Sequence, residues 1–326
     1  MTQTVTIFGG SGFLGRYIAQ RMAKAGWRVR VAVRRPNEAM FVKPYGAVGQ
    51  VEPVLANIRN EASVRAAIKG ADAVVNAVSV LVEYGEQNFA SIQTEGAERI
   101  ARITAEEGAA NLLHISAIGA DADSESKSAR TRAEGEALVM ERFPDAVILR
   151  PSVLFGTEDN FFNKFARMAK LSPTLPLVGA ETLFQPVYVD DVAAAAETAI
   201  TSEAAAGVYE LGGPEVASFR DLMHKMLRVT RRRKLIVNLP FWIAGIIAPI
   251  IGLAHKLSIG IVPAIITSDQ VKQLRYDNVV SDGARGFSDL GIAPRMMDGI
   301  LESYLYCHRP HGQYTAIKQS AENLRG

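Results

Sequence analysis

The sequence contains one cysteine, Cys307, in 326 residues, so a disulfide cannot form within a single chain. Chains without internal disulfides are typical of reducing compartments. One cysteine and five histidines also provide none of the Cys/His spacings that metal sites use. These scarcities exclude a disulfide-stapled secreted domain and a zinc-finger protein, and we expect no bound metal.

An excess of charge of either sign is also missing. Lysine and arginine number 36 against 34 acidic residues, which leaves a net charge of +2. A protein that binds nucleic acid through its bulk charge is therefore excluded. The sequence shows neither internal repeats nor low-complexity segments, and its hydrophobic content of 48% is ample for the core of one large or two moderate domains.

The sequence also lacks a continuous apolar run long enough to cross a bilayer. Leu235 to Ala254 carries no charge, but it is interrupted by Asn238, Pro240, Pro249 and Gly252. A spanning helix needs about 20 continuous apolar residues, so we do not predict one. The cations that precede this run, Arg231 to Lys234, lie beside a tryptophan-containing apolar segment, a combination that suits an anionic membrane surface. Two core helices with a solvated basic loop are the alternative.

The strongest pattern present is VTIFGGSGFLG, from Val5 to Gly15. Its apolar start, up to Phe8, predicts a buried strand, and the residues from Phe13 to Ala25 predict a helix. The glycines between them fit two overlapping dinucleotide fingerprints, GxxGxxG from Gly9 and GxGxxG from Gly10. In both, the free N–H groups at the start of the helix attract the phosphates. We predict that a dinucleotide is bound here by Gly9, Ser11, Gly12, Phe13, Leu14 and Gly15.

The residues that follow the next predicted strand indicate which dinucleotide is bound. Arg28 to Val33 alternates in polarity and is followed by Arg34 and Arg35. In NAD-selective sites an acidic residue about 20 positions beyond the fingerprint binds the ribose 2′-OH, whereas an arginine accommodates a 2′-phosphate. Each guanidinium can grip a phosphate through paired donors. We therefore predict NADPH (NADP) as the cofactor, held in part by Arg34 and Arg35, with a solvated strand end as the alternative.

Strands and helices then alternate with short connections. Strands are predicted at Val48 to Leu55, Asp72 to Val78, Asn111 to Ser116 and Ala146 to Arg150, and helices at Glu61 to Lys69, Gln87 to Glu107 and Ser126 to Arg142. Such alternation indicates an α/β fold with a Rossmann-type doubly wound parallel sheet, whose ligands lie at the carboxyl ends of the strands. The predicted site therefore also includes residues at or beside those ends: Asn57, Ile58, Ala77, Val78, Ser79, Ser116, Pro151 and Val153.

The second half is less regular and predicts a smaller domain. Helices are expected at Asp159 to Lys170 and Asp191 to Thr201, and a strand at Val208 to Leu211. We divide the chain into an NADP-binding Rossmann domain, 1–155, to which residues 180–212 return, and a smaller C-terminal substrate-like domain, 156–326. Segment 231–267 of the latter faces a membrane or a partner. Asp190 and Asp191 look like paired acid/base carboxylates, but we expect them to cap their helix.

Four motifs, in this order, resemble those of extended and atypical short-chain dehydrogenase/reductases: GGSGFLG, HIS (His114 to Ser116), RPSVLFG (Arg150 to Gly156) and QPVYVDDVAAA (Gln185 to Ala195). The resemblance covers nearly the whole chain. It implies a Rossmann-type fold, an NAD(P) cofactor and a reaction at a carbonyl or alcohol that uses a serine, a tyrosine and a lysine, the last two in a YxxxK pattern. Ser116 occupies the family's serine position.

The tyrosine and lysine of that pattern are missing. Thr131, Gly135 and Glu136 align the segment, which places Ser128 at the tyrosine position and Arg132 at the lysine position. A phenol has an unperturbed pKa of about 10 and can be tuned to exchange a proton, whereas a serine hydroxyl cannot easily replace it. A guanidinium stays charged, so Arg132 can hold a ribose or phosphate but cannot relay a proton. We predict no catalytic residue; the alternative is another proton donor, namely Tyr84, Tyr188 or a bound water.

A more specific resemblance comes from SDQVKQLRYDNVVSDGAR (Ser268 to Arg285), GFSDLGIAP and SYLYCHRPHGQY. With the degenerate YxxxK and the apolar segment, these stretches are similar to the nucleotide-binding accessory subunits of respiratory complex I. The resemblance implies a catalytically silent fold that holds NADPH on the peripheral arm, near the membrane and the quinone site. It implies other complex I subunits as partners, whereas the anionic lipid surface at 231–267 is expected from the basic and apolar residues of that segment.

The start of the chain bears on where the protein is located. The first predicted strand begins almost at Met1, which leaves no room for a targeting segment. We therefore expect the cytoplasmic face of a bacterial inner membrane, or the mitochondrial matrix side if a presequence was removed. The alternative functions are an active NADPH-dependent reductase or epimerase and an NADP(H)-sensing regulator.

Overall fold

A computed structural model describes residues 2–202, 204–257, 266–310 and 312. The strands are β1 (Thr4–Phe8), β2 (Arg28–Val33), β3 (Val51–Leu55), β4 (Ala73–Asn76), β5 (Asn111–Ile115), β6 (Val147–Pro151), β7 (Leu154–Phe155), β8 (Thr174–Val178), β9 (Leu183–Phe184), β10 (Val187–Tyr188), β11 (Gly207–Leu211), β12 (Ala217–Ser218) and β13 (Leu235–Leu239). The helices are α1 (Phe13–Lys24), α2 (Glu61–Ile68), α3 (Glu95–Glu106), α4 (Lys127–Arg142), α5 (Phe162–Leu171), α6 (Val189–Thr201), α7 (Phe219–Val229), α8 (Phe241–Leu257), α9 (Ser268–Gln273) and α10 (Met297–Leu305).

Seven parallel strands form the central sheet in the order β3-β2-β1-β4-β5-β6-β11. The order reverses between β1 and β4, which is the doubly wound arrangement. Helices cover both faces, so alternate residues of β1 enter different cores: Val5 and Ile7 pack toward α1 and α6, and Phe8 packs toward α2 and α3. The predicted Rossmann-type α/β fold is confirmed.

Residues after β6 build a second packed unit around aromatic side chains. Phe155, Phe162 and Phe219 lie in a core that α5, α7 and α10 surround. Phe161 stacks on Phe219 with ring centroids 5.7 Å apart. Strand β13 pairs in parallel with β8 and leads into α8. Strand β11 pairs with β6, so this part of the chain returns to the central sheet before the second unit continues.

Several predicted boundaries differ from the observed ones. Strand β3 starts at Val51, three residues late, because the backbone turns at Gly49 with a φ of 79°. The expected helix from Gln87 is replaced by a pairing of Gln87 with Tyr84, followed by a π-helical turn, Ala90–Thr94, before α3. These local departures are set by turn geometry and tertiary contacts, which hydrophobic periodicity does not report.

The second half contains two further corrections. Asp159 was expected to begin a helix, but its carboxylate accepts hydrogen bonds from the N–H groups of Phe161 and Asn163, and α5 starts only at Phe162. Leu235–Leu239 was expected in a helix or an apolar membrane segment, and it is strand β13. Within the described ranges, no helix is both long and apolar enough to cross a bilayer. Residues 258–265 of the apolar segment and the tail from Thr315 lie outside the described residues.

Candidate nucleotide-binding site

The glycine-rich turn follows β1 at the strand-order reversal. Gly9 has a φ of 76°, and a Cβ atom there would lie 2.8 Å from the carbonyl oxygen of Ala77. A Cβ atom at Gly15 would lie 2.2 Å from the carbonyl oxygen of Gly9, so helix α1 touches the turn directly. Gly9 and Gly15 therefore supply the tight turn and the close packing, and the chain uses its GxxGxxG spacing.

The start of α1 is open to an anion. Gly12 occupies the N-cap position, so none of the described side chains caps the first N–H groups of the helix, and its first turn contains no acidic residue. Arg16 lies across the turn, with Nη2 3.2 Å from the Ser11 carbonyl oxygen and Nε 3.3 Å from that of Gly12. The spacing of the glycines did not predict this arginine, although its place one helical turn after Gly12 was a usable signal.

The two arginines after β2 differ in their surroundings. Arg35 is exposed and pairs with Glu38 at 3.0 Å. Arg34 is exposed too, and it forms no ion pair or hydrogen bond with any described residue. A guanidinium without a partner at this strand end has its donors available for a phosphate. Arg34 thus fits the predicted role better than Arg35.

The remaining predicted residues follow neighbouring strands at the same sheet edge. The Ala77 N–H group donates to the Phe8 carbonyl oxygen, and the Ser116 N–H group donates to that of Leu149. Ser79 is exposed, and Val78 is partly buried. The sheet therefore brings Asn57, Ala77, Val78, Ser79, Ser116, Pro151 and Val153 to one edge.

The side chains of two predicted site residues are packed in the hydrophobic core. Leu14 belongs to the core between β1 and α6, and Ile58 packs on α3, where a Cβ at Gly96 would lie 2.8 Å from its Cδ1 atom. Phe13 lies edge-on to Tyr17, with ring centroids 6.0 Å apart. These residues can contact a nucleotide only through their backbone or a side-chain edge.

Ser116 provides the clearest sign of a missing partner. Its Oγ atom is buried and, apart from His308 Nδ1, is the one such side-chain atom without a hydrogen-bond partner in the described structure. A buried hydroxyl without a partner costs free energy, so such a group calls for an explanation. A nucleotide or substrate polar group at the carboxyl end of β5 would supply the partner. The residues present fit a bound dinucleotide.

Asn76 and His114 form a buried polar pair just before the strand ends. The Asn76 Oδ1 atom accepts from the Val78 N–H group, which turns its Nδ2 atom toward His114 Nδ1, 3.1 Å away. His114 Nδ1 is therefore an acceptor. Burial lowers the pKa of His114 to about 4, so the ring is neutral at physiological pH.

This pair makes stability depend on pH. The unfolded chain protonates His114 below about 6.5, whereas the folded chain does so only near 4. The unfolded state then binds more protons, so we expect the free energy of unfolding to fall by about 1.5 kcal/mol between pH 6.5 and 5. Urea titrations at both pH values would measure this. His114→Asn, which keeps an acceptor but does not titrate, should lack that fall; an equal fall in both proteins would contradict the assignment.

Helix α4 carries the positions at which dehydrogenases of this type have tyrosine and lysine. Ser128 is 3% exposed, and its Oγ atom lies 3.4 Å from Gln93 Nε2. Arg132 is partly buried and forms no hydrogen bond with a described residue. Burial lowers the pKa of Arg132, while the charges of Asp269 and Glu136 oppose that shift. The guanidinium thus has donors that the rest of the described chain does not use.

A carboxylate from far along the chain caps this helix. Asp269 Oδ1 accepts from the Lys127 N–H group at 2.7 Å, and its Oδ2 accepts from Ser126 Oγ at 2.8 Å and from the Ser128 N–H group at 3.3 Å. Helix α9, which supplies Asp269, therefore covers the start of α4. The tyrosine position is closed over as well as altered, because Ser128 lies beneath Asp269 and Gln93.

The alternative proton donors are poorly suited. Tyr188 lies beneath the Arg295 guanidinium, 4.6 Å from the ring centre, and burial raises its pKa, which opposes ionisation. Tyr84 is 44% exposed on a loop. Asp190 and Asp191 bind Arg21 and Arg295 through their carboxylates, so they anchor packing and do not cap helix α6 as expected. No cluster suited to a metal ion occurs among the described residues.

A model of the NAD dependent epimerase/dehydratase family matches residues 5–212. The match spans the glycine-rich turn and all seven strands of the central sheet. The chain belongs to this family. Among solved structures, the NADPH-dependent quinone oxidoreductase of Escherichia coli, complexed with NADPH, aligns with a TM-score of 0.70 at 18% identity, over 92% of this chain and 99% of that one. Such a likeness shows the fold alone.

Two mitochondrial proteins are similar to this chain over nearly its whole length. The identity is 35% to NADH dehydrogenase (ubiquinone) 1 alpha subcomplex subunit 9 of Arabidopsis thaliana, over 94% of this chain and 78% of that protein. It is 31% to the NADH-ubiquinone oxidoreductase 40 kDa subunit of Neurospora crassa, over 95% of this chain and 81% of that protein. The resemblance to dehydrogenase-like subunits of complex I is confirmed.

Proposed function

We propose that this protein is a non-catalytic, NADPH-binding accessory subunit of complex I, the proton-pumping NADH:ubiquinone oxidoreductase. It supports assembly and stability of the peripheral arm near the membrane and the quinone site. The observation that carries the proposal is helix α4, where Ser128 and Arg132 replace the reacting pair and Asp269 closes over the first of them. The dinucleotide turn, by contrast, keeps its open helix start.

The bound nucleotide stabilises the subunit. A ligand that binds only the folded state adds RT ln(1 + [L]/Kd), about 4 kcal/mol at a thousandfold excess over Kd. That is a large share of ordinary domain stability. A nucleotide can therefore be kept for architecture alone. When bound, NADPH would supply hydride chemistry, but the chain's own residues here only bind and orient it.

NADPH is favoured over NADH by the charges near the second strand. Arg34 is unpaired with described residues, and Arg16 lies against the turn. Gly12 and the first N–H groups of α1 would hold the pyrophosphate, and Arg34, assisted by Arg35, would hold the 2′-phosphate. Ser116 and Arg132 would hold the nicotinamide half, where Ser116 Oγ needs a partner.

The partners of the proposed subunit are other subunits of the peripheral arm and the membrane surface. Trp242 and Ile246 of α8 are 67% and 58% exposed, and the cations 231–234 precede this region. The described part of segment 231–267 would therefore face the anionic lipid surface. The protein would be peripheral, on the cytoplasmic face of a bacterial inner membrane or on the matrix side in a mitochondrion.

Membrane extraction tests this function. After mild detergent solubilisation, we expect the chain to co-migrate with NADH:ubiquinone oxidoreductase activity and to release NADPH on denaturation. The isolated chain should not consume NADPH with a panel of aldehydes, ketones and quinones at the roughly 1 s⁻¹ or more of ordinary enzymes. Recovery as a free protein that carries NAD⁺, or turnover at enzyme-like rates, would overturn the proposal.

A further inference from the structure

Helix α7 ends at an open cleft of about 830 Å³ that is lined mainly by cations. The lining includes Arg228, Arg231, Arg232, Arg233 and Lys234, with Asp221 as its acidic member. Five cations thus fall within seven consecutive positions of a chain whose net charge is only +2. Like charges at such spacing repel one another, so the cleft carries a strong local positive potential.

Three cations of the cleft lack an ion pair with the described residues, whereas the arginines between helices α2 and α3 are paired. Arg65 and Arg102 on the sheet side each pair with Glu61 and Glu106. In the cleft, Arg228, Arg233 and Lys234 form no ion pair with the residues that the structure describes, and Arg232 donates from Nε to the His308 carbonyl oxygen. The mutual repulsion of Arg228, Arg233 and Lys234 is therefore not relieved by ion pairs with described carboxylates, and an external polyanion would relieve it.

The backbone at Arg231 points to the same conclusion. The Arg231 N–H group donates to the Arg228 carbonyl oxygen and the Arg232 N–H group to that of Leu227, which is the Schellman arrangement at a helix end. Its left-handed position is usually glycine, yet Arg231 adopts it with a φ of 52°, the one positive φ at a described non-glycine residue. A strained arginine is retained where glycine would be easier, and its side chain lines the cleft.

Helix stabilisation does not account for this cluster. A cation in the last turn of a helix interacts well with the helix dipole, which explains Arg228. Residues 231–234 come after helix α7 has ended. They lead instead into exposed apolar side chains, with Leu235 66% exposed on β13 and Trp242 67% exposed on α8. Cations beside exposed apolar and tryptophan side chains are typical of a surface that meets lipid.

We propose that this cleft is a specific site for an anionic phospholipid whose headgroup carries two phosphates, such as cardiolipin, with its acyl chains against β13 and α8. Basic pockets at the membrane surface recognise such headgroups, and paired guanidinium donors suit phosphate oxygens. Five cations exceed what one phosphate needs, so two phosphates match the charge better. The inference rests on the proposed membrane-proximal function and adds to it a named lipid class.

Flotation of the full chain with vesicles tests the site. The vesicles contain cardiolipin, or phosphatidylglycerol at equal total charge, in phosphatidylcholine. We expect preference for cardiolipin. Arg231→Gly should weaken it about fivefold, since each cation near an anionic surface contributes measurably to binding. The same substitution should leave the thermal midpoint unchanged or raised, because glycine prefers the left-handed position. Arg142→Gln, which removes a charge from helix α4, is the matched control and should bind normally.

The outcomes separate the site from general charge attraction and from soluble ligands. Equal binding to both charge-matched vesicles, or normal binding by Arg231→Gly, would overturn the specific site. Tight binding of inorganic pyrophosphate that displaces the vesicles would overturn the lipid assignment in favour of a soluble polyphosphate. NADPH content and co-migration with complex I are measured on the same preparations. If the wild-type protein contains no NADPH and does not co-migrate with complex I, the proposed function is overturned. If only the preference for cardiolipin is absent, the lipid site in the cleft alone is overturned.

Discussion

Valine in place of Gly12 is expected to lower the affinity for NADPH about 100-fold while the chain still folds. Gly12 has φ −70° and ψ 176°, a conformation open to any residue, and a Cβ atom there would meet only the Gly9 carbonyl oxygen, at 3.1 Å. The added methyl groups would instead occupy the space through which the pyrophosphate approaches the helix start. Losing two charge-assisted hydrogen bonds costs about 3 kcal/mol, which gives this factor.

Two neighbouring variants separate ligand loss from unfolding. Gly12→Ser adds a smaller group that can cap α1. This variant should therefore bind NADPH more tightly than Gly12→Val does, and it should keep full stability. Gly15→Ala places a Cβ atom 2.2 Å from the Gly9 carbonyl oxygen and should unfold more easily with or without nucleotide. Thermal unfolding with and without NADPH measures both effects. A valine variant that keeps the whole NADPH-induced rise in midpoint would contradict the assigned phosphate position.

The sequence could predict the central sheet because its strands are buried on both faces and separated by helices of ordinary length. Val5 to Phe8, Arg28 to Val33 and Asn111 to Ile115 are apolar or alternating runs next to turns, which local patterns report well. The position of the glycine turn at the strand-order reversal was seen only in the structure, because the strand order depends on long-range pairing. The prediction of the fold therefore depended mainly on sequence patterns within about ten residues of each element.

The contacts that shape the site come from much farther along the chain. Asp269 caps α4 across 142 positions, so no local capping pattern at Ser126 could reveal it. Asp190 and Asp191 were assigned to capping because they open a helix, but Arg21 and Arg295 approach them from distant segments. Arg16 was missed since the fingerprint names only glycines. Side-chain partners of this kind require the folded arrangement.

Helix α4 is anchored to distant parts of the chain on both sides of Arg132. Its start is held by Asp269 and its middle by Glu136, while Arg132 between them has no hydrogen bond to the described chain. Both anchors fix the helix that carries the proposed nucleotide contact. Ser128 thus stands at the tyrosine position of a helix that long-range contacts hold in place.

Arg150→Met is expected to lower the free energy of unfolding by about 3–5 kcal/mol. Arg150 binds Glu136 of α4 through Nε at 3.0 Å and Glu210 of β11 through Nη1 at 3.4 Å. The side chains of Glu136 and Glu210 are only 6% and 9% exposed. Removing the guanidinium leaves two carboxylates buried without their cation. Urea unfolding at neutral pH would measure the loss.

The matched control is Arg28→Met, which breaks an exposed pair with Glu52 and should cost at most about 1 kcal/mol. Replacing Arg150, Glu136 and Glu210 together with apolar residues should recover much of the stability, because no charge is then stranded. If α4 must be anchored to hold NADPH, Arg150→Met should also weaken NADPH binding under conditions in which the variant is still folded. An equal loss of stability in the Arg28 and Arg150 variants would show that this buried network is not what secures the helix carrying Arg132.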